Sequence, residues 1–102
     1  MSIKKKYLKS KAVFKVTFKI AAEQAKSVKQ AHVVGEFNGW STTATPMRRM
    51  KNGSFSATVE IKPGQAYQFR YLLGRSQWEN DPDADGIVPT HFNDAYNSLL
   101  KL

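Results

Sequence analysis

The sequence predicts an all-β fold, an antiparallel β-sandwich, and three observations carry that expectation. Apolar and polar residues alternate with period two in several short runs. Turn-forming pairs built on glycine separate those runs at close intervals, and no stretch sustains the 3.6-residue period of an amphipathic helix. A chain of 102 residues is long enough for one domain with one core.

From Ala12 to Ile20, Phe14, Val16, Phe18 and Ile20 fall on one side and Val13, Lys15, Thr17 and Lys19 on the other, as in a half-buried strand. Ala21 to Lys26 tolerates helix but is too short to stand alone, so a connection with one turn is expected. Val28 to Val34 is the second strand. Met47 to Met50 and Ser54 to Ile61 follow, joined at Lys51-Asn52-Gly53, where an Asn-Gly pair supplies the positive-φ positions of a tight hairpin. Phe55, Ala57, Val59 and Ile61 are expected to face inward. Lys62-Pro63-Gly64-Gln65 is a turn, because proline presets φ at its second position and glycine accepts a positive φ at its third. In Tyr67 to Leu73, the residues Tyr67, Phe69, Tyr71 and Leu73 share one face and Gln68, Arg70 and Leu72 the other. A reversal at Gly74-Arg75-Ser76 leads to Gln77-Trp78-Glu79. A long solvated acidic loop is expected from Asn80 to about Asp94, and a closing strand from Tyr96 to Leu102.

The formal charge of +8 is concentrated in one region. Residues 1–30 hold nine lysines against Glu23, and residues 31–102 hold seven basic and seven acidic residues. A lysine-rich leader, residues 1–11, ahead of a single domain at 12–102, reads as a solvated tail or a protected edge strand, since lysine on an edge discourages strand-to-strand aggregation. Charge confined in this way disfavours nucleic acid as a partner. Cysteine is absent, which removes disulfide and zinc–thiolate frameworks. The longest apolar runs, such as Tyr71-Leu72-Leu73, are too short for a signal core or a spanning helix, so no membrane partner is expected and a cytoplasmic location is.

Asp81-Pro82-Asp83-Ala84-Asp85-Gly86 matches the first half of a calcium loop, but Phe92 stands at the twelfth position, where a bidentate acid is needed. The same acids with Glu79 lack the cleft that a glycosidase pair requires. His32 and His91 have no partners at ligand or triad spacing, and the six glycines are scattered singly rather than gathered around a phosphate. No catalytic residue, metal or cofactor is therefore expected. Trp40, Arg70, Trp78 and Asn97 remain. An indole suits a partner that is apolar in one plane and hydroxylated at its rim, and a pyranose is such a partner; Arg70 and Asn97 supply donors and an acceptor for the hydroxyls. By residue type alone, two tryptophans capping the ends of the core is an equal reading.

Seven fragments in order carry a resemblance: Val34-Gly35-Glu36-Phe37-Asn38-Gly39-Trp40, Thr45-Pro46-Met47, Asn52-Gly53-Ser54-Phe55, Pro63-Gly64, Tyr67-Gln68-Phe69-Arg70-Tyr71, Trp78-Glu79-Asn80-Asp81-Pro82 and Asn97-Ser98-Leu99-Leu100. Over about Ala12 to Leu102 the chain resembles the isoamylase N-terminal early-set domains. These are the family-48 carbohydrate-binding modules of α-glucan branching and debranching enzymes and of the β subunits of AMP-activated protein kinase. The resemblance implies an immunoglobulin-like sandwich of early-set type and a non-catalytic surface site for glycogen-like α-1,4-glucans. It places Trp40 and Trp78 as stacking rings, Arg70 at the family's basic strand position and Asn97 as the hydrogen-bonding residue that opens the last strand, with Gln68 as a further hydroxyl partner. Leu73-Gly74 stands where sugar-binding members often have Asp-Gly, and Ala95 where kinase-type modules have a hydroxyl residue. Two rings at about 1–3 kcal/mol each, the range for aromatic stacking on nucleobases, imply Kd values between roughly 1 mM and 10 μM once association costs are deducted. Retention on a polymer then calls for several linked copies, through self-association or a glycogen-metabolising enzyme as partner. The alternative implied by the same fold is a protein-interaction or self-association module without sugar binding.

Overall fold

The computed structural model describes residues 1–25, 28–90 and 95–102, and two antiparallel sheets pack face to face. The first sheet has the order β1-β2-β5-β4, from β1 (Ser2–Leu8), β2 (Val13–Ile20), β5 (Phe55–Ile61) and β4 (Arg48–Arg49). The second runs β3-β6-β9-β8, from β3 (Ala31–Gly35), β6 (Ala66–Leu73), β9 (Tyr96–Lys101) and β8 (Gly86–Pro89), with β7 (Gln77–Glu79) paired to β6 beside β9. Among the described residues, no helix is long and apolar enough to cross a membrane.

The alternation in the sequence translates directly into burial. Val16, Phe18 and Ile20 of β2, Phe55, Ala57 and Ile61 of β5, and Tyr67, Phe69, Tyr71 and Leu73 of β6 are buried between the sheets, while Phe14 and Val59 are half-buried. Aromatic rings form the centre, where Phe18 lies 5.2 Å from Phe69 and Phe69 lies 5.7 Å from Tyr71 in an edge-to-face arrangement. Gly64 takes φ 92° and Gly53 φ 87°, which only glycine adopts at little cost. At the Asn-Gly hairpin Gly53 alone is left-handed. The Asn52 side chain instead accepts hydrogen bonds from the Ser54 amide at 3.0 Å and hydroxyl at 2.7 Å.

One expectation is narrowed and two change. Residues 2–8 of the lysine-rich leader form β1, in register with β2 from Ser2↔Lys19 to Leu8↔Val13, so the edge-strand form is the one found. The expected strand from Val28 is shorter, beginning at Ala31. The acidic loop is neither long nor solvated throughout. It contains β8, and Asp81 is buried, accepting a hydrogen bond from the Tyr71 hydroxyl at 2.7 Å. A carboxyl group out of water needs hydrogen-bond partners, and Asp81 has a second in the Asp83 amide, which donates to it at 2.8 Å. Residues 91–94, which include His91 and the end of the expected loop, lie outside the described residues.

Candidate functional site

Trp40 is set in place by the corner that follows β3. Phe37 inserts its ring against Phe18 at 5.7 Å, fixing one end of the corner in the core. The Asn38 side chain ties the other: Oδ1 accepts from the Gly35 amide at 3.1 Å, and Nδ2 donates to the Val33 carbonyl and to Thr45 Oγ1, both at 2.9 Å. Gly35 is there because β3 lies close on β6, where a Cβ would come within 2.7 Å of the Gln68 carbonyl. Gly39 and Trp40 then both adopt left-handed backbone, φ 68° and 59°. For tryptophan that conformation costs about 1–2 kcal/mol. It is held by the Trp40 amide donating to the Gly35 carbonyl at 2.8 Å.

Trp78 reaches the same side by a different route. β6 pairs with β3 along one edge, and with β9 and then β7 along the other, so β7 continues the line of β9. Beyond Trp78 the chain is stitched to β9: Asn80 Nδ2 donates to the Tyr96 carbonyl at 2.8 Å, Ser98 Oγ donates to Asn80 Oδ1 at 2.8 Å, and the Asp81 amide donates to Ser98 Oγ at 3.0 Å.

Between the two indoles runs the outer face of β6 and β9. Arg70 Nε donates to Asn97 Oδ1 at 2.7 Å, and Asn97 Nδ2 donates to Gln68 Oε1 at 3.0 Å. This relay uses both amide oxygens as acceptors. It leaves the Nη groups of Arg70 and Nε2 of Gln68 without hydrogen bonds among the described residues, a rim of donors. The Gln68 amide itself donates to Glu36 Oε1 at 2.6 Å, which couples the β3 corner to the middle of β6.

All five residues singled out in the sequence, Trp40, Gln68, Arg70, Trp78 and Asn97, line one shallow groove of about 650 Å³. Neither tryptophan is in the core: Trp40 is 41% exposed and Trp78 42%. Sequence reasoning missed Val88, Pro89 and Thr90, which form the groove's other bank. Their signal was the β-branched pair Ile87-Val88 after Gly86, short enough to be read as loop.

The groove thus joins two exposed indoles to a rim of hydrogen-bond donors. A family model described as carbohydrate-binding module 48 (isoamylase N-terminal domain) matches residues 6–84. The chain belongs to this family. The matched span of the carbohydrate-binding module takes in Trp40, Gln68, Arg70 and Trp78 and ends before β8 and β9, which bring Val88 and Asn97. The chain is also similar to Protein PTST homolog 2, chloroplastic, of Arabidopsis thaliana, at 34% identity over 56 residues, covering 55% of this chain and 10% of that protein. It therefore spans about a tenth of that relative's length.

Proposed function

We propose that this carbohydrate-binding module is non-catalytic and binds glycogen-like α-1,4-glucans, oligosaccharide or polysaccharide, by stacking sugar rings on Trp40 and Trp78. The observation that carries the reading is the pair of indoles, each about two-fifths exposed, on one groove rimmed by the Arg70–Asn97–Gln68 relay. Pyranose C–H faces lie on the rings, and hydroxyl oxygens accept from Arg70 and Gln68. Because the relay holds those side chains before any ligand arrives, little rotamer freedom remains to be lost on binding.

Titration with maltoheptaose or β-cyclodextrin is expected to quench tryptophan fluorescence with a Kd between roughly 1 mM and 10 μM. Trp78→Ala should abolish the response while the unfolding midpoint moves little, since a half-exposed ring contributes less to the core than a buried one. An unchanged spectrum at about 10 mM sugar, above the weak end of that range, would sink the proposal. A dimer that forms through the groove and excludes the sugar would favour a self-association module instead. Attachment to a glycogen-metabolising enzyme would supply the avidity that one weak site lacks.

A further inference from the structure

The outer face of the four-stranded sheet carries four of the nine lysines that the sequence concentrates near its start, Lys4, Lys6, Lys15 and Lys19, together with Arg48. Cross-strand pairing arranges this face in three rows: Ser2, Lys19, Ser56 and Arg48; Lys4, Thr17 and Thr58; Lys6, Lys15 and Glu60. Five cations face one carboxylate there, and Glu60 is already engaged by Lys11 at 3.1 Å. Lys6 stands directly opposite Lys15, an arrangement that costs stability. Edge protection accounts for lysines on β1 but not for Lys15 and Lys19 on the interior strand β2. The contrast with Lys5 is instructive. On the other side of β1 it is neutralised by Asp85 and by the Lys101 carbonyl, whereas Lys4, Lys6, Lys15 and Lys19 have no ion pair among the described residues.

β1 is also the edge of its sheet, so the backbone groups on its free side have no strand partner among the described residues. Lys4 and Lys6 project from one face about 6.6–6.8 Å apart, the spacing of alternate residues on any extended strand. The opposite face of the same strand presents Tyr7, 47% exposed, and half-buried Ile3, with Lys5 between them already paired to Asp85. We propose that β1 accepts an extended segment of a partner protein as a fifth strand, in which acidic and apolar residues alternate: carboxylates opposite Lys4 and Lys6, apolar side chains beside Ile3 and Tyr7. A second copy of β1 would set lysine against lysine and is repelled. Nucleic acid fits less well, because these rows contain no aromatic ring for bases to stack on and no element that protrudes into a groove. The surface lies on the sheet opposite the glucan groove and does not depend on the glucan reading.

The test is fluorescence anisotropy of a labelled peptide with Glu at alternate positions and Val between, titrated with the full chain at low salt. Saturable binding is expected, weakened about tenfold or more by the double change Lys4→Glu with Lys6→Glu, and by about 0.5 M NaCl. Circular dichroism of the double variant should match that of the unaltered chain. Two further peptides, N-methylated at odd or at even positions, separate strand addition from simple attraction. One should lose binding and the other keep it, because only alternate amides face β1. The inference is overturned if both methylated peptides bind like the parent, if a scrambled peptide of equal charge binds as well, if heparin or duplex DNA binds while the peptide does not, or if no binding is seen at about 1 mM peptide.

Discussion

On the outer face of the five-stranded sheet the polar side chains bond to one another, Arg70 to Asn97 and Asn97 to Gln68, and two indoles flank them. On the outer face of the four-stranded sheet Lys4, Lys6, Lys15 and Lys19 have no ion pair among the described residues, and no indole accompanies them. Both faces are built by the same device, a period-two strand whose alternate residues leave the core. The difference lies in what the cross-strand neighbours do to each other. Neighbours that bond lock their side chains and suit a neutral ligand whose hydroxyls meet fixed donors. Neighbours that repel hold charge in solution and suit an ionic partner, whose binding falls as salt rises.

Five outcomes break or sharpen this contrast. The largest effect is expected from Phe69→Ala, which removes a ring from the core shared by both sheets. A loss of about 3–5 kcal/mol should lower the unfolding midpoint by about 15 °C or more and weaken both faces together, measured by calorimetry and the two titrations. Next is Tyr71→Phe. Its hydroxyl donates to buried Asp81, and losing that donor should cost about 1.5–3 kcal/mol in chemical denaturation. Burial first, then the hydrogen bond to Asp81 and the charges of Asp81 and Asp83, hold the Tyr71 hydroxyl far above its ordinary ionisation range. A raised native pKa means that the stabilisation is full below the unfolded value of about 10 and is lost as pH climbs past it, so the variant should show a shallower alkaline decline.

Trp40→Ala comes third. Glucan affinity should fall about tenfold, roughly 1.4 kcal/mol, while peptide binding at β1 stays unchanged; a parallel loss on both faces would show that the two are not independent. Lys6→Glu is smaller and of opposite sign. Replacing a like-charge pair with Lys15 by an opposite one should raise stability by about 0.2–1 kcal/mol, an effect that shrinks with salt. The smallest belongs to Asp85→Asn. Partial burial opposes ionisation of Asp85, but the hydrogen bonds from Lys5 and the Lys101 amide and the charges of both lysines outweigh it and lower the carboxyl below its usual range. A lowered native pKa contributes stability that is full above the unfolded value near 4 and is lost as pH falls from there through the lower native value. The pair is partly exposed, so the variant should flatten the acid limb by no more than about 1 kcal/mol.

Much of the architecture is legible along the chain. Phe14 to Ile20, Phe55 to Ile61 and Tyr67 to Leu73 alternate because one face of each strand is dry and the other wet, and that difference acts residue by residue. The glycine turns are equally local. Gly86 to Pro89 was not legible as a strand, because four residues at an edge pair with only one neighbour, and two β-branched side chains leave too weak a signal. Asp81 was misread for a related reason. An aspartate in an acidic, proline-containing stretch looks solvated until the Tyr71 hydroxyl, ten residues earlier, is seen beneath it.

By itself the sequence determined which side chains leave the core and where the cations accumulate, because strand period and composition are properties of consecutive residues. Only the tertiary structure decided who their neighbours are. Trp40 turns outward in a left-handed conformation that Asn38 and the β3 corner sustain. Trp78 stands beside Asn97, nineteen positions later, because β7 and β9 share one edge of β6. Alternation specifies a face but not a pairing, and pairing is set by contacts between segments far apart in the chain, which no local pattern encodes.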